Sequence, residues 1–502
     1  MGGEDRAVLE AAARAAIAYR EGVAEAVTTP VADYAQVLAA FAAPTPETGA
    51  NGGAIIDDLV RLATPGIRAM TGPRFFGWVI GGSHPTGVAA DWLTAAWGQN
   101  AGNVLAAPAA CAVEAVAADW LLDLLGLPRE ASVGFVTGAT VANFVCLAAA
   151  RSEVLRRVGW DVEADGLFGA PPVQVMIGAD AHATVFSGLN YLGLGAQRVT
   201  TIAADDAGRM LASDFERVLQ AARGPVIAIA QAGQINTGVC DPFADIAPLA
   251  KAHGAWLHVD GAFGLWARAC PTRAALTTGV DEADSWATDG HKWLQTPYDC
   301  GYAIVRDAEA HRSAMAISAS YLPPAEGAER DPTAYAPELS RRARGFATWA
   351  MIRQLGRAGI AEMVEGCCRI AAQMAAGIAA EAGAELVCPV ELNQFMIRFG
   401  GALGDEAGDA LTLATVQRVQ ADAVAFLGAS QWRGRWVMRC SVSSLSTTPQ
   451  AASESATAVI AAWRAVQAAY ANAASLQPKE KQQASLRDAS VTNALLLPKG
   501  CL

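Results

Sequence analysis

Lysine is scarce in this sequence. Of its 37 basic residues, five are lysine and 32 are arginine. Three of the lysines fall in the last 24 residues, which leaves Lys251 and Lys292 alone in the first 478. Because a side chain that forms a Schiff base must supply a primary amine, a mechanism of that kind has only these two candidates in the body of the chain.

Signals for a nucleic-acid or membrane partner are also missing. The formal net charge is −12, which argues against a dedicated nucleic-acid binder. No stretch of about 20 residues is uninterruptedly apolar, as a membrane-spanning helix requires. The first residues, MGGEDR, carry an acidic pair where a signal peptide has a basic region. We therefore expect a soluble, cytoplasmic protein with no membrane and no nucleic-acid partner.

Several common catalytic and metal-binding motifs are absent. The chain contains neither G-x-x-x-x-G-K nor G-x-G-x-x-G, and neither H-E-x-x-H nor G-x-S-x-G. The ten cysteines show no C-x-x-C spacing, so we expect reduced, buried thiols. No two of the six histidines are four residues apart, and we expect no metal site.

The pattern of short apolar runs and longer amphipathic stretches predicts an α/β protein. Strands are predicted at 133–137, 173–177, 198–202, 225–231 and 255–260, with helices between them. This alternation is typical of a mostly parallel sheet with helices on both faces. Four regions are expected, namely a helical segment at 1–100, the α/β domain at 101–345, a smaller α+β domain at 346–475 and a flexible tail at 476–502.

Lys292 follows a histidine in the segment DSWATDGHKWLQ, which spans residues 284–295. A lysine in a surface loop is the ordinary interpretation of such a residue. The alternative is a Schiff-base lysine, whose amine must be neutral in a partly desolvated pocket. Lys292 alone does not decide between the two.

Three other segments place polar residues where a predicted strand meets a turn or helix. Asp260 in HVDGA could keep a pyridinium nitrogen protonated, or it could cap the next helix. Thr140 in FVTGAT could help a helix start to bind a phosphate monoester, or it could simply cap that helix. His182 in GADAHA could stack on a planar ring, or it could be a structural residue. Taken together with Lys292, the four signals favour one cofactor site.

On these residues, the sequence resembles the pyridoxal-phosphate-dependent group II amino acid decarboxylases. These are fold type I enzymes of the aspartate aminotransferase superfamily. The resemblance runs from about residue 73 to 470 and implies a mostly parallel seven-stranded sheet, a helical N-terminal dimer arm, a small C-terminal α+β domain and a homodimer with shared active sites. The matching segments are FVTGATVAN (135–143), Asp180–His182, HVDGA (258–262), 284–301, PELSRR (337–342) and RCSVS (439–443).

The resemblance also implies a role for each cofactor residue. Lys292 would carry pyridoxal 5'-phosphate as an internal aldimine, and Asp260 would pair with the ring nitrogen. His182 would stack on one face of the ring and Ala262 would pack on the other. The phosphate would bind at Gly138, Ala139 and Thr140, with His291 and Asp289 beside it.

The substrate implied by the resemblance is a small molecule, an L-amino acid whose side chain could be aromatic. Its products would be the amine and CO2. Arg439 would hold the α-carboxylate, since a guanidinium can bind a carboxylate through two hydrogen bonds; a structural salt bridge is the alternative. The other substrate contacts would be Trp78, His84, Tyr335 and Asn103 of the partner subunit.

Two departures from the family pattern leave other outcomes open. Gln234 stands where relatives often carry a small hydroxyl residue. Neither Tyr321 nor Tyr335 clearly matches the loop tyrosine that returns a proton to Cα. The alternatives are a carbon–carbon lyase or aldolase, an aminotransferase, a decarboxylation-dependent deaminase, and a non-catalytic protein that keeps the fold.

Overall fold

The structure is a computed structural model and describes residues 3–317 and 330–475. The helices within these ranges are α1 (Gly3–Gly22), α2 (Tyr34–Phe41), α3 (Gly52–Ala63), α4 (Pro85–Trp97), α5 (Pro108–Leu125), α6 (Ala139–Arg156), α7 (Val162–Asp165), α8 (Ala183–Tyr191), α9 (Ala212–Ala221), α10 (Phe243–His253), α11 (Ala308–Met315), α12 (Gly345–Ala379), α13 (Asp405–Asp422) and α14 (Pro449–Ser475).

A seven-stranded sheet forms the centre of the chain. Its strands are β1 (Ser132–Val136), β2 (Gln174–Gly178), β3 (Thr200–Ile202), β4 (Val226–Gln231), β5 (Trp256–Asp260), β6 (Ser285–Asp289) and β7 (Gly301–Val305). Their order is β1-β7-β6-β5-β4-β2-β3, and every pairing is parallel except those of β7, which runs antiparallel to β1 and β6. The predicted α/β fold with a mostly parallel seven-stranded sheet is confirmed. The exception, β7, was not predicted.

Strands β1, β4, β5, β6 and β7 are buried along their whole length, as expected for a sheet covered on both faces. Helix α6 packs across β5, β6 and β7. At the start of β7, a Cβ on Gly301 would lie 2.5 Å from the Cα of Gly138. A glycine is therefore required where β7 passes the turn before α6.

A second, antiparallel sheet follows the long helix α12. Its strands are β8 (Ala384–Leu386), β9 (Gln394–Phe399), β10 (Gly428–Trp432) and β11 (Arg435–Ser441), in the order β10-β11-β9-β8. We call these two sheets the large sheet and the small sheet. The small sheet packs against α12 and α13, and most of its buried apolar side chains join the same hydrophobic core as side chains of the large sheet. The bounds of the four predicted regions stay a prediction.

The N-terminal helices α1, α2 and α3 contain no buried residue. They are attached to the rest of the chain by a few contacts. The hydroxyls of Thr28 and Thr29 donate hydrogen bonds to the carbonyls of Ala423 (3.2 Å) and Gln420 (2.7 Å). Across the two described ranges, no helix is both long and apolar enough to span a membrane.

Candidate active site

A cavity of about 330 Å³ opens at the carboxyl ends of the large-sheet strands. Strands β1, β2, β4, β5 and β6 all point their carboxyl ends to this edge, which is where ligands bind in open α/β sheets. The cavity brings together all the sequence segments that were predicted to bind a cofactor. The lining residues are Thr137, Gly138, Ala139, Thr140, His182, Thr184, Gln231, Gly233, Ile235, Asp260, Ala262, Phe263, Asp289, His291, Lys292 and Tyr298.

Asp289, the last residue of β6, links two parts of the cavity wall. Its Oδ1 accepts a hydrogen bond from the backbone N–H of Ala139 (2.6 Å), at the start of α6. Its Oδ2 lies 2.8 Å from Nζ of Lys292. The Lys292 side chain is 19% exposed, while that of Asp289 is only 2% exposed. Asp289 therefore fixes the lysine amine beside the helix start.

The start of α6 is open for an anion. Its N-cap residue is Gly138, which has no side chain to bond the first N–H groups. Thr140 lies inside the helix rather than at the cap, so the simple capping role that the sequence left open for it does not occur. A Cβ at Gly138 would lie 2.9 Å from Cε1 of His291. The N–H of Ala139 is already bonded to Asp289, and the next N–H groups of the first turn, with the positive end of the helix dipole, suit a phosphate.

Asp260 ends β5 and is 7% exposed. Burial raises the pKa of its carboxyl, while His182 in its charged form and Lys292 act in the opposite direction. Its Oδ1 also accepts the N–H of Ala262 (3.3 Å). A buried carboxylate of this kind is stabilised by a cationic partner, and a protonated ring nitrogen is such a partner.

His182 is the N-cap residue of α8 and also borders the cavity. Its Nδ1 accepts the N–H of Thr184 (3.3 Å), so the neutral ring carries its proton on Nε2. Desolvation lowers the pKa of His182, although part of the ring remains exposed at the cavity. The two roles left open by the sequence, a helix cap and a ring facing the cofactor, are thus compatible in one residue.

His291 and Tyr298 form a stacked pair on the cavity wall, with ring centroids 4.4 Å apart. Nδ1 of His291 accepts the N–H of Cys300 (3.2 Å), and burial lowers the pKa of His291. Desolvation and the charge of Asp289 raise the pKa of Tyr298 to about 12, so the phenol keeps its proton at neutral pH. Sequence analysis missed Tyr298, although it lies in a matching segment.

Arg439 reaches the cavity region from β11 of the small sheet. Its Nη1 donates to the carbonyl of Ile235, a lining residue, at 3.4 Å. Desolvation lowers the pKa of Arg439 to about 10. Among residues 3–317 and 330–475 its guanidinium makes no ion pair with a carboxylate, so the alternative of a structural salt bridge is not realised there.

Two of the predicted substrate residues lie outside the cavity of the single chain. Trp78 is 53% exposed, and its ring stacks 5.5 Å from that of Phe426. His84 caps α4, with Nδ1 accepting the N–H of Thr86 (3.2 Å). Their roles in substrate binding stay predictions.

The remaining candidates also lie away from the cavity. Asn103 closes the turn before α5, with Oδ1 accepting the N–H of Ala106 (2.9 Å). Tyr335 is buried with its ring edge-on to that of His311 at 5.2 Å. Tyr321 lies outside the described residues. A role for Asn103 on a partner subunit and one for Tyr335 with the substrate stay predictions.

Gln234 does not take the place of a hydroxyl residue at the cavity. Its Oε1 accepts the N–H groups of Asn236 (2.6 Å) and Thr237 (3.0 Å), so the side chain closes its own turn. A different glutamine, Gln231, lines the cavity at the end of β4. Sequence analysis missed Gln231, which has no motif around it and is placed only by the end of its strand.

These residues fit pyridoxal phosphate. The cavity combines a lysine amine, a buried carboxylate on a neighbouring strand, an uncapped helix start and an imidazole at the cavity edge. That combination defines the class as a pyridoxal-phosphate enzyme of the α/β, fold type I kind, and the role of Lys292 as the cofactor lysine stays a prediction.

Comparisons with known proteins support this class and narrow it. A family model described as the pyridoxal-dependent decarboxylase conserved domain matches residues 36–399. The aromatic-L-amino-acid decarboxylase of Bacillus atrophaeus is 26% identical over 415 residues, 81% of this chain and 84% of that protein. The 4-hydroxyphenylacetaldehyde synthase of Rhodiola rosea is 26% identical over 404 residues, 78% and 81% of the two chains.

Among solved structures, that of Oryza sativa TDC with pyridoxal phosphate and tryptamine has a TM-score of 0.86 at 23% identity, covering 92% of this chain and 98% of the other. This likeness confirms the fold. Since the family model matches well over half of the residues, the chain belongs to the pyridoxal-dependent decarboxylase family. Its cofactor is pyridoxal phosphate and its activity is that of an amino acid decarboxylase, as the sequence motifs predicted.

Proposed function

We propose that the protein converts an aromatic L-amino acid into its amine and CO2. The observation that carries this proposal is Arg439, a half-buried guanidinium beside the cavity with no carboxylate partner in the described ranges. An α-carboxylate would satisfy it. Tyr298 and Phe263 on the same wall offer aromatic surface to a planar side chain, and the similar decarboxylase of Bacillus atrophaeus is described as acting on aromatic L-amino acids.

Each cavity residue has a distinct task in this proposal. Pyridoxal phosphate, when bound, supplies the electron sink for the bond that breaks. Asp260 keeps the ring nitrogen protonated, Asp289 orients Nζ of Lys292, and His182 covers one face of the ring. Arg439 holds the carboxylate in a fixed direction, and orientation of the substrate decides which bond at Cα breaks.

A proton must then reach Cα. Among the described residues of the cavity wall, donors for this step include Nζ of Lys292 and the phenol of Tyr298, whose pKa is raised to about 12. Tyr335 is buried against His311 instead. The position of Tyr335 away from the cavity favours one second candidate, an oxidative decarboxylation in which the amino acid, O2 and water give an aldehyde, CO2, ammonia and hydrogen peroxide. The similar Rhodiola rosea protein is described as an aldehyde synthase.

A product survey tests the proposal. The holoenzyme is incubated with the twenty L-amino acids and with simple β-hydroxy amino acids, and CO2, amine, aldehyde and keto acid are quantified. The proposal expects CO2 and amine in equal amounts, with tryptophan, tyrosine or phenylalanine as the best substrate. Aldehyde with glycine would identify an aldolase, and keto acid would identify an aminotransferase.

The role of Arg439 gives a quantitative prediction. Replacing Arg439 with Gln removes a charge-assisted hydrogen bond to the carboxylate, a loss of roughly 10- to 100-fold in binding. We expect KM for the amino acid to rise by about that factor, while inhibition by the product amine, which has no carboxylate, stays within about twofold. Steady-state kinetics with amine as inhibitor measures both.

The matched control is Arg435→Gln. Arg435 lies on the same strand, but it is exposed and pairs with Asp405 at 3.1 Å, away from the cavity. Arg435→Gln should change neither KM for the amino acid nor the inhibition by the product amine. If Arg439→Gln weakened the binding of the amino acid and of the amine by the same factor, the guanidinium would not bind the substrate carboxylate.

We also propose a homodimer. The helices α1 to α4 expose apolar side chains that a single chain leaves uncovered. A second copy is the occupant that the family resemblance implies. Light scattering after size exclusion should give twice the 51.9 kDa chain mass, and a single-chain mass at micromolar concentration would exclude it. The exposed residues include Leu9, Ile17, Tyr34, Leu38, Phe41, Ile55, Leu59, Trp92, Leu93 and Trp97. The cytoplasmic location stays a prediction from the sequence.

A further inference from the structure

The turn that carries His182 is held from the small sheet by an ion pair. Asp180 lies two residues before His182, just beyond the end of β2. Its Oδ1 and Oδ2 lie 3.2 Å and 2.8 Å from Nη1 and Nη2 of Arg433, which form a two-point contact. Nη2 of Arg433 also donates to the carbonyl of Asp205 (2.6 Å). The guanidinium therefore joins two loops at the edge of the large sheet.

An arginine is unexpected at position 433. Trp432 and Arg435 pair across the β10–β11 hairpin, which leaves Arg433 and Gly434 as a two-residue turn. Both turn residues have positive φ, +50° for Arg433 and +79° for Gly434. Such turns strongly favour Asn, Asp or Gly at the first position. Turn chemistry therefore does not explain an arginine here, whereas the contact with Asp180 does.

The backbone of Asp180 is held as firmly as its side chain. Its carbonyl accepts Nε2–H of Gln231 (3.3 Å) and Nε2–H of Gln234 (3.4 Å). Gln231 and Gln234 lie at and just beyond the end of β4, so the turn is fixed from the large sheet as well as from the hairpin. This gives a physical reason for the glutamine at 234, whose side chain holds the Asp180 carbonyl and closes the turn at 234–237.

The hairpin that supplies Arg433 also supplies Arg439. Within it, the hydroxyl of Ser430 donates to Oδ1 of Asn236 (2.8 Å), and Arg439 contacts the carbonyl of Ile235. One hairpin thus touches the turn at 234–237 and the turn before His182. The Arg433–Asp180 contact therefore links the β10–β11 hairpin, which carries Arg439, to the turn that precedes His182.

We propose that Arg433 is a positioning residue that acts through Asp180 to hold the His182 ring against the cofactor. This role rests on the proposed function, because it presumes that His182 faces bound pyridoxal phosphate. The residue does not touch the cofactor itself. Its loss should change how tightly and in what orientation the cofactor is held, in addition to any change in turnover.

The test uses holoenzyme carrying Arg433→Asn. Asparagine suits the left-handed turn position, so this variant deletes the guanidinium while keeping the hairpin. We expect the dissociation constant of pyridoxal phosphate to rise about tenfold and the visible circular dichroism of the bound cofactor to fall by about half, within the range for residues coupled by contact. Arg433→Lys should restore part of both, since one hydrogen bond to Asp180 remains possible.

Two further variants separate positioning from stability. Arg435→Gln removes a neighbouring exposed arginine and should leave both readouts unchanged. Asp180→Asn removes the partner charge with little change in shape, and it should reproduce the effect of Arg433→Asn even if the hairpin variant folds poorly.

The decisive comparison is with His182→Gln. If Arg433 acts through His182, the double variant should bind pyridoxal phosphate no more weakly than His182→Gln alone. Additive losses would overturn the proposal, and so would wild-type affinity and dichroism in Arg433→Asn. The product survey tests the proposed function, and removal of the wild-type visible band by borohydride tests covalent attachment of the cofactor. Differences between variant and wild type in cofactor affinity and dichroism test Arg433, so failure of the proposed function and failure of this proposal are distinguishable.

Discussion

Replacing Lys292 with Ala is expected to remove the visible absorption band of the holoenzyme and to lower kcat/KM by roughly a thousandfold or more, the scale seen when a covalent catalytic group is deleted. Lys292 lines the cavity, with Nζ placed 2.8 Å from Asp289 at the end of β6. The band reports the covalent link between this amine and the cofactor. Absorption spectra before and after borohydride treatment, together with steady-state kinetics, measure both effects.

The matched control is the other lysine in the body of the chain. Lys251 lies in the last turn of α10, is exposed, and pairs with Glu282 at 3.5 Å. Lys251→Ala should therefore keep both the band and the activity. A borohydride-sensitive band that survives in Lys292→Ala would show that another amine binds the cofactor.

The Asp260→Asn variant should show a different pattern, in which the band persists and turnover falls. Lys292 is intact, so the cofactor can still be attached. An amide cannot hold the ring nitrogen in its protonated state, so the cofactor loses much of its capacity to accept electrons. We expect kcat to fall by roughly 10²- to 10⁴-fold, the range for loss of a positioned acid or base.

Asp284→Asn is the control for removal of a carboxylate from the same sheet. Asp284 precedes β6 and accepts the N–H of Leu257 (2.8 Å) near the start of β5, at the opposite edge from the cavity. Its replacement should leave kcat near the wild-type value. If Asp260→Asn retained more than a tenth of wild-type kcat, the assignment of Asp260 to the ring nitrogen would fail.

Much of the candidate site was predictable because its residues follow strand ends. The sequence placed Thr140, His182 and Asp260 at the carboxyl ends of predicted strands, and parallel strands bring those ends to one edge. The place of Tyr298 on the cavity wall was not predicted, because Tyr298 lies in an irregular stretch between β6 and β7. No periodicity in that stretch indicates where a side chain points. The contact of Arg433 with Asp180 was not predicted either, because the two residues are 253 positions apart in the sequence.

The fold was predictable where the pattern was periodic. The strand predicted at 225–231 lies within one residue of β4, and α10 lies between β4 and β5, where a helix was predicted. β7 was missed because GYAIV is a short apolar run that periodicity cannot tell from a buried helix segment, and its reversed direction depends on how the chain returns from the Lys292 turn. β8 and β10 are short and partly exposed, so neither has a distinctive pattern.

Decarboxylation in D2O tests the central claim most directly. The holoenzyme is given an aromatic L-amino acid, and the products are analysed by mass spectrometry and by CO2 release. The account predicts one CO2 per amine and a single deuterium at Cα of the amine, because the departing carboxylate is replaced by one solvent-derived proton. Aldehyde in place of amine, or deuterated amino acid without CO2, would contradict it.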